Sequence, residues 1–366
     1  MVQVVYKNLL LSHLSTDSSQ SRSRGFSLKQ GFMTGFNYSC TDVEELMKRY
    51  YLPVSYSLIF IVGLVGNTIS ICIYLTKMRP WKSSSIIMVN LALTDLLYVV
   101  TMPFLVYYYS TDSWMLGDFM CRFVRFAFHF HLYASILFLT CLSVFRYIVV
   151  MKPLLAVHVQ QTFWGVVACS AVWTITAAQT SPILTFISLR KDQNKTNCLD
   201  FASTDPVTTV REYSWVLTAL GFVLPLMVVF ICNIGIVRKL AEGPNPSVSH
   251  RTRAQNLIIL IVVVFAVCFL PYHILRVLWV EIQYNAKTHT TTTTTCCSHI
   301  IQAAYIVSRP LAAVNTFFNL GLYTLTGNKF RRAFKSVFRW ECWLVKVRAV
   351  LHQIIINKGG TGIAAA

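Results

Sequence analysis

The sequence predicts an all-α membrane protein, a seven-transmembrane helix bundle with a short amphipathic cytoplasmic helix after the seventh span. Three observations carry this expectation. The 366 residues are 55% hydrophobic and only 13% charged, with a mean hydropathy of +0.55, which no water-soluble domain of this size tolerates. Seven charge-poor runs of span length follow one another, at about 51–76, 84–109, 122–150, 162–188, 213–237, 254–280 and 300–326. Basic residues gather on alternate connections: Lys77, Arg79 and Lys82, then Arg238, Lys239, Arg251 and Arg253, then Lys329, Arg331, Arg332, Lys335 and Arg339. These face the cytoplasm, so the N-terminus faces out and the expected location is the plasma membrane. The net charge of +18 follows that pattern and indicates no nucleic-acid partner.

Residues 1–49 form the expected exterior tail, of which 1–32 are Ser-rich, polar and basic, and Met33 is a candidate start. The sequons at Asn37 and Asn194 both fall outside, as glycan acceptors must. With no cleavable signal visible, the first span serves as the targeting signal. The apolar unit is 50–326. Within it, the stretch Cys121 to Tyr147 organises the rest, because no Asp, Glu, Lys or Arg lies between Arg125 and Arg146. Those arginines stand about 31 Å apart along a helix, one at each mouth of the hydrocarbon layer. Residues 327–340 place Phe330, Ala333, Phe334, Val337 and Phe338 on one stripe and the basic residues opposite, the pattern of a helix lying on anionic membrane lipids. Cys342, at the start of the 341–366 cytoplasmic tail, is a palmitoylation candidate.

Five cysteines lie on the exterior, oxidising side. Cys121 and Cys198 make the natural pair. Cys40 with Cys296 or Cys297 would tie the tail to the third exterior loop.

Asn67, Asp95 and Asn319 share one depth, about 15–20 Å from the cytoplasmic ends of their helices. Asp95 is the single acidic residue in a span core, and an unpaired carboxylate in lipid is costly. It is expected to face the interior among Asn67, Asn315 and Asn319, with water or a sodium ion; a neutral Asp95 bonding helix to helix is the alternative. No other cofactor or metal is implied.

Arg125 and Arg309 come early in odd-numbered spans and Arg276 late in an even-numbered one, so opposite directions of travel bring all three to the exterior half. His129 and Tyr133 lie one and two turns below Arg125. Tyr272 and His273 precede Arg276 by about a turn, and Tyr305 stands a turn above Arg309. With only Asp200 and Glu281 as candidate partners, the cavity between them is expected to be electropositive. Arginine forks grip carboxylate or phosphate in bidentate fashion, so the expected ligand is an anion with more than one negative charge. Snorkelling of the arginines to headgroups, or salt bridges to the loops, with no ligand at all, is the competing explanation.

These residues bring a resemblance into view. From about Tyr50 to Arg339 the chain resembles the rhodopsin-like (class A) G-protein-coupled receptors. Gly66-Asn67, Leu91 to Asp95, Trp173, Phe145-Arg146-Tyr147, Pro225, Cys268 to Pro271 and Asn319 to Tyr323 match the family's span motifs. Within the family it is similar to the purinergic and succinate receptor-like group, and there to the branch responding to 2-oxoglutarate. Met78 to Ser84, Arg125-Phe-Ala-Phe-His129, His273-Ile-Leu-Arg276 and Tyr305 to Pro310 carry that likeness. Phe145, in place of an acid before Arg146, and Leu320, in place of a proline, fit that branch as well, whereas Asn233 stands where a tyrosine is usual.

The resemblance implies that Arg125, His129, Arg276 and Arg309 bind an anionic ligand and that Arg146, Tyr147, Pro271, Asn319 and Tyr323 serve activation of a heterotrimeric G protein, of Gq type. A nucleotide or acidic-lipid receptor of the same fold is the nearest rival. A dicarboxylate carrier lacks support, since no internal repeat or Gly/Pro-broken midplane helix pair is present. An intramembrane enzyme would need a second span-embedded carboxylate or a metal motif, and the sequence has neither.

Overall fold

The computed structural model describes residues 45–192, 195–242, 248–288, 296–326 and 329–336. Six helices among them are long and apolar enough to cross a membrane: α1 (Met47–Lys77), α2 (Ser83–Thr111), α3 (Gly117–Met151), α4 (Thr162–Phe186), α5 (Val207–Ala241) and α6 (Ala254–Thr288). The seventh span is made by two successive segments, α7 (Cys296–Ala313) and α8 (Asn315–Thr326). Pro310 lies inside α7, and the helix turns at Val314, whose amide reaches the carbonyls of both Pro310 and Leu311. Several helices overrun their apolar runs by a turn or more, because amphipathic ends stay helical past the hydrocarbon boundary.

Apolar side chains cover the outside of the bundle at helical spacing: Val54, Leu58, Ile61 and Val65 on α1, and Leu220, Leu224, Met227 and Ile231 on α5, are all exposed. Such stripes have lipid as their solvent. α3 runs inside, with fifteen buried residues. α5 and α6 each contain a wide turn, Ala219–Val223 and Val264–Phe269, ending just before Pro225 and Pro271. Proline withdraws one N–H and crowds the preceding turn, which loosens the backbone there.

Two glycines permit close approaches. A Cβ at Gly66 would stand 2.4 Å from Cδ1 of Leu320, and one at Gly221 would stand 2.6 Å from Cε1 of Tyr133. The first lets α1 and the seventh span meet at the residue that replaces the usual proline; the second seats Tyr133 against α5.

Over the outer mouth lies a hairpin, β1 (Leu189–Asp192) antiparallel to β2 (Lys195–Cys198), with Leu189 opposite Cys198. The Trp114 amide donates to the Thr196 carbonyl, and the Cys121–Cys198 disulfide pins the hairpin to α3. Cys297 is a free, exposed thiol, so of the two alternatives for the second pairing, Cys40 with Cys296 or with Cys297, the latter is not made. Cys40, Asn37, Asn194, Cys342 and the Cys296 side chain lie outside the described residues. On the inner side, residues 329–336 are helical, with Phe330 buried and Lys329, Arg331, Arg332 and Lys335 exposed.

Candidate functional site

An outer cavity of about 630 Å³ opens beneath the hairpin. Among the described residues seven basic side chains line it, Lys48, Arg49, Arg125, Arg190, Lys195, Lys287 and Arg309, against three acidic ones, Glu45, Asp112 and Asp200. Lys195 pairs with Asp112, and Lys287 with Asp205 at the rim. The lining is therefore electropositive, and low-dielectric walls concentrate its field.

Arg125 is buried on α3. Its Nη2 donates to the Cys198 carbonyl at 2.9 Å and both Nη atoms reach the Tyr109 hydroxyl at 3.4 Å. Among the described residues no carboxylate lies within ion-pair distance of it, and its Nε is buried with no acceptor. Arg309 pairs with Asp200 at 3.2 Å and lies over the Tyr305 ring at 4.6 Å. Tyr305 donates its hydroxyl to the same Asp200 oxygen at 2.6 Å. Burial raises the Asp200 carboxyl, but Arg309, Arg125 and the Tyr305 hydroxyl more than offset it and hold the group well below the usual carboxylate range. Its folded pKa being depressed, Asp200 contributes stability that is fully present above the ordinary carboxylate range and is lost progressively as pH falls from there through the depressed folded value.

The third arginine stands elsewhere. Arg276 is fully buried and is not on the wall of the cavity, which corrects the expectation that three guanidiniums share one vestibule. Its Nη1 donates to the Tyr133 hydroxyl and its Nη2 to Thr218 Oγ1 at 2.6 Å and the Ser214 carbonyl at 3.4 Å. Aromatic faces surround it: Tyr272, Phe201 and Tyr133 have centroids 5.6, 5.7 and 6.0 Å from its Cζ. Phe201 follows Asp200 in the chain, so one loop supplies both the partner of Arg309 and the ring over Arg276. Glu281, the other carboxylate considered from sequence, accepts bonds from Arg211 Nε and Trp215 Nε1, each at 2.7 Å, and is no partner of the cavity.

Between the two arginine layers lies His129. Its Nδ1 bonds the Arg125 carbonyl at 2.9 Å and must carry the hydrogen, so in the neutral ring Nε2 accepts from the Tyr272 hydroxyl at 3.1 Å. Asp200 Oδ1, with no hydrogen-bond partner, is 3.9 Å from Nε2. His273 turns aside: its Nδ1 bonds the Phe269 carbonyl at 2.8 Å and its ring stacks on Phe222 at 4.1 Å. The structure therefore brings Arg125, Asp200, Tyr305 and Arg309 to the cavity wall and places His129, Tyr133, Tyr272, His273 and Arg276 beneath it. Sequence reasoning missed Tyr109, Arg49 and Arg190. Tyr109 was legible as the residue at the outer end of the second apolar run, at the level of Arg125.

At mid-depth, Asp95 meets Asn319 Nδ2 at 3.0 Å, as expected, but its other partners are His131 at 2.8 Å and the Thr316 hydroxyl at 3.3 Å. Asn67 is buried nearby and donates instead to the Gly63 carbonyl; Asn315 is buried with both amide atoms unpartnered. On the inner side, Phe145, Arg146, Leu142, Ile236, Leu257 and Ile258 line a cavity of about 380 Å³. Tyr147 packs on Gly235 of α5, and Tyr323 is buried against Tyr74 and Phe330. Trp173 donates to Asn90 at 2.9 Å, and Asn233 is buried with its Nδ2 unpartnered.

A bundle of this kind, with a disulfide-anchored hairpin over a polar outer cavity, defines a membrane receptor, and residues 66–323 match the family model for the 7 transmembrane receptor (rhodopsin family). The chain belongs to that family. It is 50% identical to 2-oxoglutarate receptor 1 of Rattus norvegicus and 48% identical to that of Mus musculus, each over 302 residues that cover 82% of this chain and 88% of the relative. A purinoceptor of Gallus gallus is 37% identical over 302 residues, 82% of this chain and 83% of its own length. The protein is accordingly a multi-pass plasma-membrane receptor that couples to G proteins and answers to a small molecule; it is not an enzyme.

Proposed function

We propose that the ligand is a small dicarboxylate of the 2-oxoglutarate class and that Arg125, Arg309 and Arg276 are its recognition set, with His129, Tyr133, Tyr272, His273, Tyr305 and Asp200 shaping the site. The observation that carries this is Arg125, a buried guanidinium on the wall of a basic cavity with no carboxylate partner among the described residues. The relatives from Rattus norvegicus and Mus musculus are named for 2-oxoglutarate, and two arginine layers suit an anion with a charge at each end. One carboxylate binds Arg125 and Arg309 in competition with Asp200. The second reaches Arg276 once the Asp200–Ser203 segment shifts, and that shift makes the ligand prefer one conformation over the other.

Activation follows as a population shift: α6 tilts about the loosened turn before Pro271 and opens the inner cavity around Arg146 and Tyr147, where a Gq-type heterotrimer docks. A differential affinity of a few kcal/mol suffices. The exterior tail 1–49, the receptor unit 50–326, the 327–340 helix lying on anionic lipids and the 341–366 tail are the working divisions of the chain.

The test is a calcium dose–response to di- and tricarboxylates and nucleotides, with and without a Gq inhibitor. Arg125→Ala is expected to weaken the dicarboxylate response at least about a hundredfold, as truncating one partner of a buried charge pair does. A dicarboxylate response untouched by this change would overturn the proposal. Asp200→Asn keeps the shape of the side chain and withdraws its charge, leaving Arg309 for the ligand. Dicarboxylate affinity in competition binding should rise about tenfold, roughly 1.4 kcal/mol for one freed charge-assisted bond. Weaker binding would mean that Asp200 positions Arg309 instead of competing for it. A nucleotide is the second reading, favoured by the cavity volume, which lies in the range of about 300–1,000 Å³ for drug-sized ligands.

A further inference from the structure

The buried carboxylate at mid-depth invites a monovalent cation, and the residues around it decide whether one fits. Sodium takes oxygen lone pairs, whereas Asp95 is ringed by hydrogens. Oδ1 receives the ring N–H of His131 at 2.8 Å and the Thr316 hydroxyl at 3.3 Å, and Oδ2 receives the Asn319 amide at 3.0 Å. An ionised carboxylate can only accept, so His131 Nε2 carries its hydrogen toward Oδ1. The ring itself fills the space beside that oxygen and is held there by stacking on Tyr98, with centroids 4.8 Å apart. Residues 95 and 131 are both fully or almost fully buried. Among the described residues, Ser135 Oγ, four residues on from His131, Asn315 Oδ1, next in the chain to Thr316, Asn319 Oδ1, on the amide that bonds Asp95, and Asn67 Oδ1 on α1 are buried oxygens with no hydrogen-bond partner. Oxygens able to serve a cation are therefore at hand in the bundle core, while the carboxylate that would anchor the ion is turned to an imidazole.

We infer that His131 is a built-in replacement for the ion: its ring closes a latent sodium site at Asp95, and the receptor is blind to sodium for that reason. The Asp95 network ties α2 to α3 and to the seventh span through direct hydrogen bonds from His131, Thr316 and Asn319, and on this proposal its strength does not follow the salt outside the cell. His131→Asn withdraws the ring volume and the fixed N–H and adds one more amide oxygen, and the latent shell becomes able to take the ion.

The experiment uses purified full-length receptor in detergent without agonist, and compares thermal stability in sodium chloride with that in N-methyl-D-glucamine chloride at equal ionic strength. The parent receptor is expected to melt at the same temperature in both, and His131→Asn to melt at a higher temperature in sodium than in the organic cation. The same pair is then compared in agonist competition binding, where only His131→Asn should show sodium-dependent affinity. A parent receptor already stabilised specifically by sodium overturns the proposal outright. So does a His131→Asn receptor that folds and remains blind to sodium. If His131→Asn fails to fold, His131→Gln serves as the second variant. Neither stability readout depends on the identity of the ligand, so the result stands apart from the dicarboxylate assignment.

Discussion

Arg276→Met receptors are expected to be as stable as the parent, or more so, while their response to a dicarboxylate falls at least about a hundredfold. The two effects have one cause. Arg276 is a fully buried cation with donors to Tyr133, Thr218 and a carbonyl, but with no carboxylate partner among the described residues. Keeping an ion out of water costs several kcal/mol that hydrogen bonds and ring faces only partly return. Methionine makes apolar contact with the same rings and leaves one hydroxyl, that of Tyr133, without its partner at about 1 kcal/mol, since Thr218 still donates to the Ser214 carbonyl at 2.7 Å. The empty receptor thus loses little or gains, and the anion loses its inner anchor. Thermal melting of the purified receptor, read beside calcium dose–response at matched surface expression, checks both halves. Parent potency in the variant would remove Arg276 from recognition; a collapse in melting temperature would give it a structural role.

Replacing Cys198 by Ser should remove most receptor from the cell surface and disable what remains. The disulfide closes a loop of 77 residues, which in the chain-entropy account is worth about 4–5 kcal/mol. Cys198 also does something local, since its carbonyl accepts from Arg125 at 2.9 Å and Cys121 lies one turn above Arg125 on α3. Freeing the hairpin unseats the guanidinium proposed to bind the ligand. Because one bond is broken in every case, Cys121→Ser, Cys198→Ser and the double variant should be equally impaired in surface labelling and ligand binding. Full expression and affinity in the double variant would contradict this account.

The bundle was legible in the sequence because lipid imposes a length and an apolarity on each span, and the basic clusters fix the sidedness. Parity of travel correctly put Arg125, Arg276 and Arg309 in the outer half. It could not resolve the two layers, because depth alone does not reveal that the Asp200–Ser203 loop enters the bundle and sets the Phe201 ring over Arg276. Glu281 failed as a cavity partner for a related reason. It points toward α5, and a helical position gives a level without giving which neighbour is faced. His131 sits in the most closely read stretch of the chain, in a run without a charge, at the level of Asp95. Treating it like the asparagines as a polar group needing a partner would have found the contact.

The Arg211–Glu281–Trp215 cluster, with Arg211 also over the Tyr284 ring at 4.5 Å, joins the extracellular ends of α5 and α6. With the outer arm of α6 pinned, the tilt falls on the part below the loosened turn before Pro271. From Leu270 to Ala254 that arm is about 24 Å, so a tilt of about 5° carries the far end roughly 2 Å while the pinned end hardly moves. Small adjustments at the mouth are thereby geared up at the cytoplasmic surface, and loosening the pin would shorten the throw.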